Sequence, residues 1–173
     1  MNAFAQLLDR LAYEPSRNNK LRLIADYLRS TPDPERGFAL AALTGALTFQ
    51  HAKPGMIRTL IAERTDPVLF ELSYDYVGDL SETVALMWPA GPVAGASADK
   101  TPSLSDVIEG LSTLCKAQLP AQLARWLDAL NETGRWALLK LVTGGLRIGV
   151  SARSPTCRRG LPPKPKSARS RWP

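Results

Sequence analysis

The sequence predicts an all-α protein, an irregular multi-helix bundle. Three observations point there. Apolar residues recur at i, i+3, i+4 and i+7 along most of the chain, as in Phe4, Leu7, Leu8 and Leu11. β-branched runs are scarce, "LRIGV" near residue 148 being the one short stretch with strand character. The spacings do not recur at a fixed period, which makes a helical repeat array the weaker reading.

The elements follow in order. After the first stripe, Pro15 breaks the pattern, and Leu21, Ile24, Tyr27 and Leu28 resume it as a second helix. "PDPERGFALAALTGALTF" sets prolines at a helix start ahead of a small-residue apolar run, the pattern of a well-buried helix. Further helices fit 55–64, 67–74 and 80–87. "WPAGPVAGASADKTP", residues 88–102, has no period and is dense in Pro, Gly and Ala, so it reads as a flexible surface loop dividing two helical groups. Ser103 with Asp106 then forms a capping-box-like start for the stripe Leu104, Val107, Ile108, Leu111, Leu114 and Cys115. Helices over 119–130 and 133–142 complete the set.

With 173 residues the chain has single-domain length, and a body of about 150 residues buries roughly 70% of its unfolded surface. The net charge of +6 suggests an anionic partner until it is located. Residues 151–173 hold seven of the 22 basic side chains and none of the 16 acidic ones. Residues 1–150 are left with 15 basic against 16 acidic, net −1. The body is neutral, so bulk charge alone does not argue for nucleic acid. The 23 closing residues also hold five prolines and read as a disordered basic tail. Two cysteines are too few for a disulfide framework or a Cys-based zinc site; Cys115, on an apolar stripe, is expected as a buried reduced thiol in a cytoplasmic protein. The N-terminus carries Asp9 and Arg10 within its apolar spacing, unlike a signal peptide, and no apolar run approaches ~18 residues, so no membrane association is expected.

Signals for chemistry are few. His51 has no visible catalytic or metal partners, and Asp75, Asp79 and Glu82 read as helix caps rather than a metal cluster. Neither a phosphate loop nor a nucleophile elbow occurs. Three polar stretches remain. "EPSRNNKLRL" places Ser16, Arg17, Asn18, Asn19 and Lys20 at a helix start, where open N–H groups and the positive dipole end favour a phosphate; taken alone, an ordinary capped helix accounts for it as well. "YVGDLSETVALMW" sets Gly78 and Asp79 at a turn before another helix, for which a turn with an Asp cap suffices. "TGGLRIGV" surrounds Arg147 with Gly144, Gly145 and Gly149 where a helix ends. That suits either a glycine cap leading to a linker, or close backbone approach to DNA with an arginine for phosphate or minor groove.

Together, "F..LL..L", "SRNNKLRLIADYL", "GDLSETVAL" and above all "LLKLVTGGLRIGVS" resemble the N-terminal DNA-binding domain of ATP-dependent DNA ligases of the archaeal and bacterial kind, over about residues 1–152. The resemblance implies an all-helical domain that binds the minor groove on both sides of a nick. By it, Arg17, Asn19 and Lys20 would touch phosphates, and Gly144, Gly145 and Arg147 would meet the backbone or minor groove. Such contacts anchor without reading sequence. The family seals nicks through a lysyl-AMP intermediate, with ATP and magnesium serving a following nucleotidyltransferase domain whose lysine lies in K-x-D-G. No lysine of this chain stands in that motif, so the chain alone is expected not to seal nicks and to need no cofactor.

These readings combine into expectations. Residues 1–152 form a helical DNA-binding domain, monomeric, with duplex or nicked DNA as partner. Residues 153–173 form a Pro/Arg-rich tail left by a shifted frame or early stop in a ligase gene, the rival being a genuine basic tail that adds DNA affinity. Catalytic domains, where they act, would come from a separate ligase polypeptide in trans. The alternative from a different class is a helical protein-interaction adaptor whose polar stretches are only caps.

Overall fold

The computed structural model describes residues 1–89, 101–146 and 148. The interior of the expected loop, 90–100, the tail 153–173 and Arg147 lie outside the described residues. Among those described, the structure is all-helical with no strand: α1 (Asn2–Tyr13), α2 (Arg17–Ser30), α3 (Glu35–Leu43), α4 (Pro54–Ala62), α5 (Pro67–Val77), α6 (Leu80–Met87), α7 (Leu104–Thr113), α8 (Leu119–Ala129) and α9 (Glu132–Thr143).

Local signals account for where these helices start. Ser16, Asp66, Asp79, Ser103 and Asn131 each accept a backbone N–H from the first turn they precede. Ser103 and Asp106 form the full reciprocal capping box. Pro54 and Pro67 occupy first-turn positions, where a missing N–H costs nothing.

α9 is the centre of the bundle. It buries Ala137, Leu138, Leu139, Leu141 and Val142 on almost every side, the pattern of a helix surrounded by others. It packs along α6 and α1 and also touches α8, while α5 lies on α6, α3 on α7, α2 on α1 and α3, and α4 on α6 and α8. Helices on either side of 90–100 therefore share one hydrophobic core, reaching from Phe4 and Leu11 to Ile57, Leu111, Leu127 and Leu138.

Several expectations change. The apolar run after Pro34 is not one well-buried helix: α3 ends at Leu43, where the N–H groups of Gly45 and Ala46 close back on the carbonyls of Ala42 and Ala41, a Schellman closure. Only Ala39, Ala42 and Leu43 of α3 are buried. Cys115 is exposed, not buried, because the chain leaves the helix at Leu114 with extended ψ and carries the next residue off the apolar stripe. The ends of the expected surface loop are buried too. The Trp88 indole donates to Asp128 at 2.8 Å, and the carbonyl of buried Pro102 accepts the Met1 ammonium at 3.0 Å. Asp128 also accepts Arg64 at 2.7 Å, whose guanidinium lies 4.6 Å over the Trp88 ring, so this cluster joins the α4, α6 and α8 ends.

α3 meets α7 through a second polar joint. Glu35 accepts the backbone N–H groups of Leu104 and Ser105 at 3.0 and 2.8 Å, placing a carboxylate at the positive end of α7. Burial pushes the Glu35 carboxyl up. Hydrogen bonds from the Ser105 hydroxyl and these N–H groups, with the nearby ammonium, outweigh burial and hold it below its ordinary value. A carboxyl depressed on folding gives stability that is complete above its unfolded value and is lost as pH falls through the folded one. Glu35→Gln is therefore expected to lower the melting temperature at neutral pH and to flatten the acid limb of the pH–stability curve.

A second expectation concerns α7 and α8, which approach at Gly110. A Cβ added there would stand 2.6 Å from the Trp126 ring, whose rigid indole has no flexible end to yield. Gly110→Ala improves helix propensity yet overpacks this contact. It should lower unfolding free energy by about 1–3 kcal/mol in a denaturant titration with unchanged slope.

Candidate nucleic-acid interface

At the start of α2, Ser16 caps the helix and its hydroxyl lies 3.5 Å from the Asn19 N–H, a long and weak contact. A nearer anion is present. Glu14 accepts the Ser16 N–H at 2.9 Å and the Asn19 side-chain amide at 3.3 Å. The chain thus supplies its own carboxylate at the positive end of this helix. Arg17 and Asn19 are exposed, and Lys20 is half-buried.

Lys20 reaches across the fold. Its ammonium donates to the carbonyl of Ile148 at 3.1 Å, tying the first turn of α2 to the segment that follows the paired glycines. That segment is held down by packing, since Ile148 is buried and Leu146 packs against the core.

α9 stops at Gly144, whose φ of 69° is the left-handed conformation that glycine adopts without a Cβ penalty. The N–H groups of Gly144 and Gly145 both donate to the carbonyl of Lys140. Gly144 is exposed and Gly145 half-buried, with the Lys140 side chain beside it.

Lys140 also binds the third polar stretch. Its ammonium donates to Asp79 at 2.5 Å, and Asp79 in turn accepts the Glu82 N–H at 3.0 Å as the cap of α6. The hydroxyls of Ser81 and Thr143 share a hydrogen bond at 3.2 Å. The beginning of α6 is thereby bolted to the end of α9. Burial pushes the Asp79 carboxyl up, but the hydrogen bond and charge of Lys140, with the N–H groups of Glu82 and Ser81, hold it below the usual aspartate value.

A groove of about 550 Å³ opens between α1, α6 and the glycine turn, lined among others by Leu8, Asp79, Trp136, Lys140, Gly145 and Ile148. A second groove of about 290 Å³ shares Ala12, Trp136 and Lys140 with it, so the two form one furrow along α9. The furrow is unequal in charge. Its far end carries Asp9, Glu82 and Glu132, and its near end holds the neutralised Lys140–Asp79 pair and the glycine turn.

The placement of the candidate residues is therefore mixed. Lys20 stands against the segment after the glycines, and Gly144 and Gly145 are linked through Lys140 to Asp79. Arg17 and Asn19 stay on the first turn of α2, with the Asn19 amide turned toward Glu14. Three residues that shape this region were not singled out from sequence. Lys140 had a signal, a lone cation inside the apolar run "LLKLV"; Trp136, one turn earlier, and Glu14 had none, because their roles depend on partners elsewhere in the fold.

Among the described residues, no three His, Cys, Asp or Glu side chains converge as a metal site. No helix of the described residues is long and apolar enough to cross a membrane. Neither the comparison with protein-family models nor that with curated proteins finds a match.

The Lys140–Asp79 pair is open to a titration test. Lys140 is 15% exposed and Asp79 more so, so the pair is screened in part and removing it should cost about 1 kcal/mol. In Lys140→Met the Asp79 carboxyl should titrate at higher pH, followed by side-chain carboxyl NMR. The stability lost as pH falls through its folded value should shrink with it.

Proposed function

We propose that this chain binds duplex or nicked DNA without sequence preference, through a surface formed by the first turn of α2 and the glycine turn after α9. The observation that carries the reading is the Lys20–Ile148 hydrogen bond, which unites stretches 128 residues apart in sequence. Its support in sequence is the resemblance to the DNA-binding domain of ATP-dependent DNA ligases, with repair, replication or recombination as the setting and the cytoplasm as the place.

The chemistry is electrostatic and local. Lys20 spends one proton on Ile148 and keeps two donors for phosphate oxygens; Arg17 and Asn19 stand on the same turn. Gly144 exposes a backbone without a side chain, which lets a sugar-phosphate strand come close. Glu14 opposes this, since its carboxylate competes for the donors a phosphate would use. ATP and magnesium belong to the reading only as what the full-length family uses, and no described residue is assigned to either.

Fluorescence anisotropy with a nicked duplex across a salt series tests the proposal. Affinity should fall steeply with salt. Arg17→Ala and Lys20→Ala should each weaken binding and reduce the slope of log K against log salt by about 0.9, one phosphate contact apiece. Arg147→Ala should act in the same direction, and Glu14→Gln should tighten binding. Binding that ignores both salt and the Arg17 and Lys20 changes would overturn the reading.

A further inference from the structure

Large apolar side chains that stand in solvent are gathered on one side of the described structure. Val68, Leu69, Leu72 and Tyr76 come from α5, Leu86 from α6 and Tyr13 from the end of α1. Tyr76 is 92% exposed, Tyr13 83% and Leu72 65%. Singly exposed apolar residues are ordinary, whereas a contiguous set marks a surface that something else covers.

Contiguity follows from two grooves. Leu72, Tyr76 and Leu86 line a groove of about 380 Å³ between α5 and α6, together with Val77, Thr83 and Met87. Leu86 also lines the furrow that holds Tyr13, so it is the ridge between the two. Within α5, residues 68, 72 and 76 follow one another at four-residue spacing and share a face. The helix reads "PVLFELSYDYV", with one apolar face at Phe70, Tyr74 and Val77 and a second at Val68, Leu69, Leu72 and Tyr76, yet only Phe70 is fully buried. A helix of that composition is built to be covered on both sides, and the described chain covers one.

The charge around the patch is mainly acidic. Glu71 and Asp75 stand exposed on α5, and Asp9, Glu82 and Glu132 line the furrow beside Tyr13 and Leu86. Lys140 is paired with Asp79 and Arg58 with Glu71 at 3.8 Å, so Asp9, Asp75, Glu82 and Glu132 outnumber Arg10, which stands exposed one turn before Tyr13. This rim selects the occupant. A second copy meeting the patch across a two-fold axis would bring the same carboxylates face to face. Nucleic acid or an anionic bilayer would bring phosphates to them.

We infer that the α5–α6 face, extended by Tyr13, docks a cationic amphipathic helix of a partner protein, with leucine or aromatic anchors at helical spacing and flanking lysine or arginine. Its apolar anchors enter the groove at Leu72, Tyr76 and Leu86, and its cations meet Asp75 and Glu82. This docking does not draw on Arg17, Asn19 or Lys20, and its apolar anchors sit toward the end of α6, whereas the Lys140–Asp79 joint is at its start.

The test uses the full chain and a fluorescein-labelled leucine–lysine helical peptide as probe, with a leucine–glutamate twin as control, read by anisotropy at physiological salt. The lysine peptide should bind and the twin should not. Leu72→Ser with Tyr76→Ser, both exposed positions, should weaken the lysine peptide about tenfold with an unchanged thermal melt. Asp75→Lys with Glu82→Lys should transfer binding to the glutamate twin, a gain that loss of folding could not produce. No binding of the lysine peptide would sink the inference, as would affinity indifferent to the Leu72 and Tyr76 changes. So would a concentration-dependent dimer in light scattering that Leu72→Ser dissolves, because the occupant would then be a second copy.

Discussion

One constraint organises the molecule: α9 is buried on nearly every side, and it carries a lysine. A cation in such a helix is tolerated only where it can leave the apolar interior and find a partner. Lys140 does so in the last turn, where its ammonium meets Asp79 and its carbonyl collects the two glycine N–H groups. The end of α9, the start of α6 and the exit of the chain toward Ile148 therefore meet at a single residue. The cost of burying charge has been turned into a joint, and the furrow beside it takes its shape from that joint.

Charge elsewhere obeys the same economy. The near-neutral body keeps many of its cations in pairs or on carbonyls: Arg29 with Asp26, Arg36 with Asp33, Arg64 with Asp128, and Arg135 on the carbonyls of Leu127 and Trp88. The proposed DNA surface therefore depends on a few local donors rather than on a broad positive field, and Glu14 tempers even those. The apolar, acid-rimmed face of α5 and α6 is different in kind. The groove at Leu86 lies toward the end of α6 and the Lys140–Asp79 joint at its start, so the two proposed surfaces differ in chemistry along one helix.

The helices were legible because their signals are local. Ser103 with Asp106, Asn131 ahead of "ETGRW", and Pro67 after Asp66 fix starts through contacts within four residues, and periodic apolar positions fix which side is buried. Misreadings arose where a distant partner intervened. Trp88 and Pro102 look like loop residues until Asp128 and Met1 are brought to them. Cys115 keeps the apolar period but falls two residues past the end of its helix. Within the candidate site, the glycine turn was visible as a turn. That Lys140 ties it to Asp79 was not, since the two lie 61 residues apart.

By itself the amino-acid sequence determined the all-helical class, most helix limits and the neutrality of the body, because each follows from hydrogen bonds within a turn, from periodicity or from counting. Tertiary structure alone decided that α9 is central, that Lys20 meets the segment after the glycines, and that α5 is left half uncovered. Those outcomes depend on which faces bury one another across long separations, and a contact between distant residues leaves no mark in the spacing around either of them.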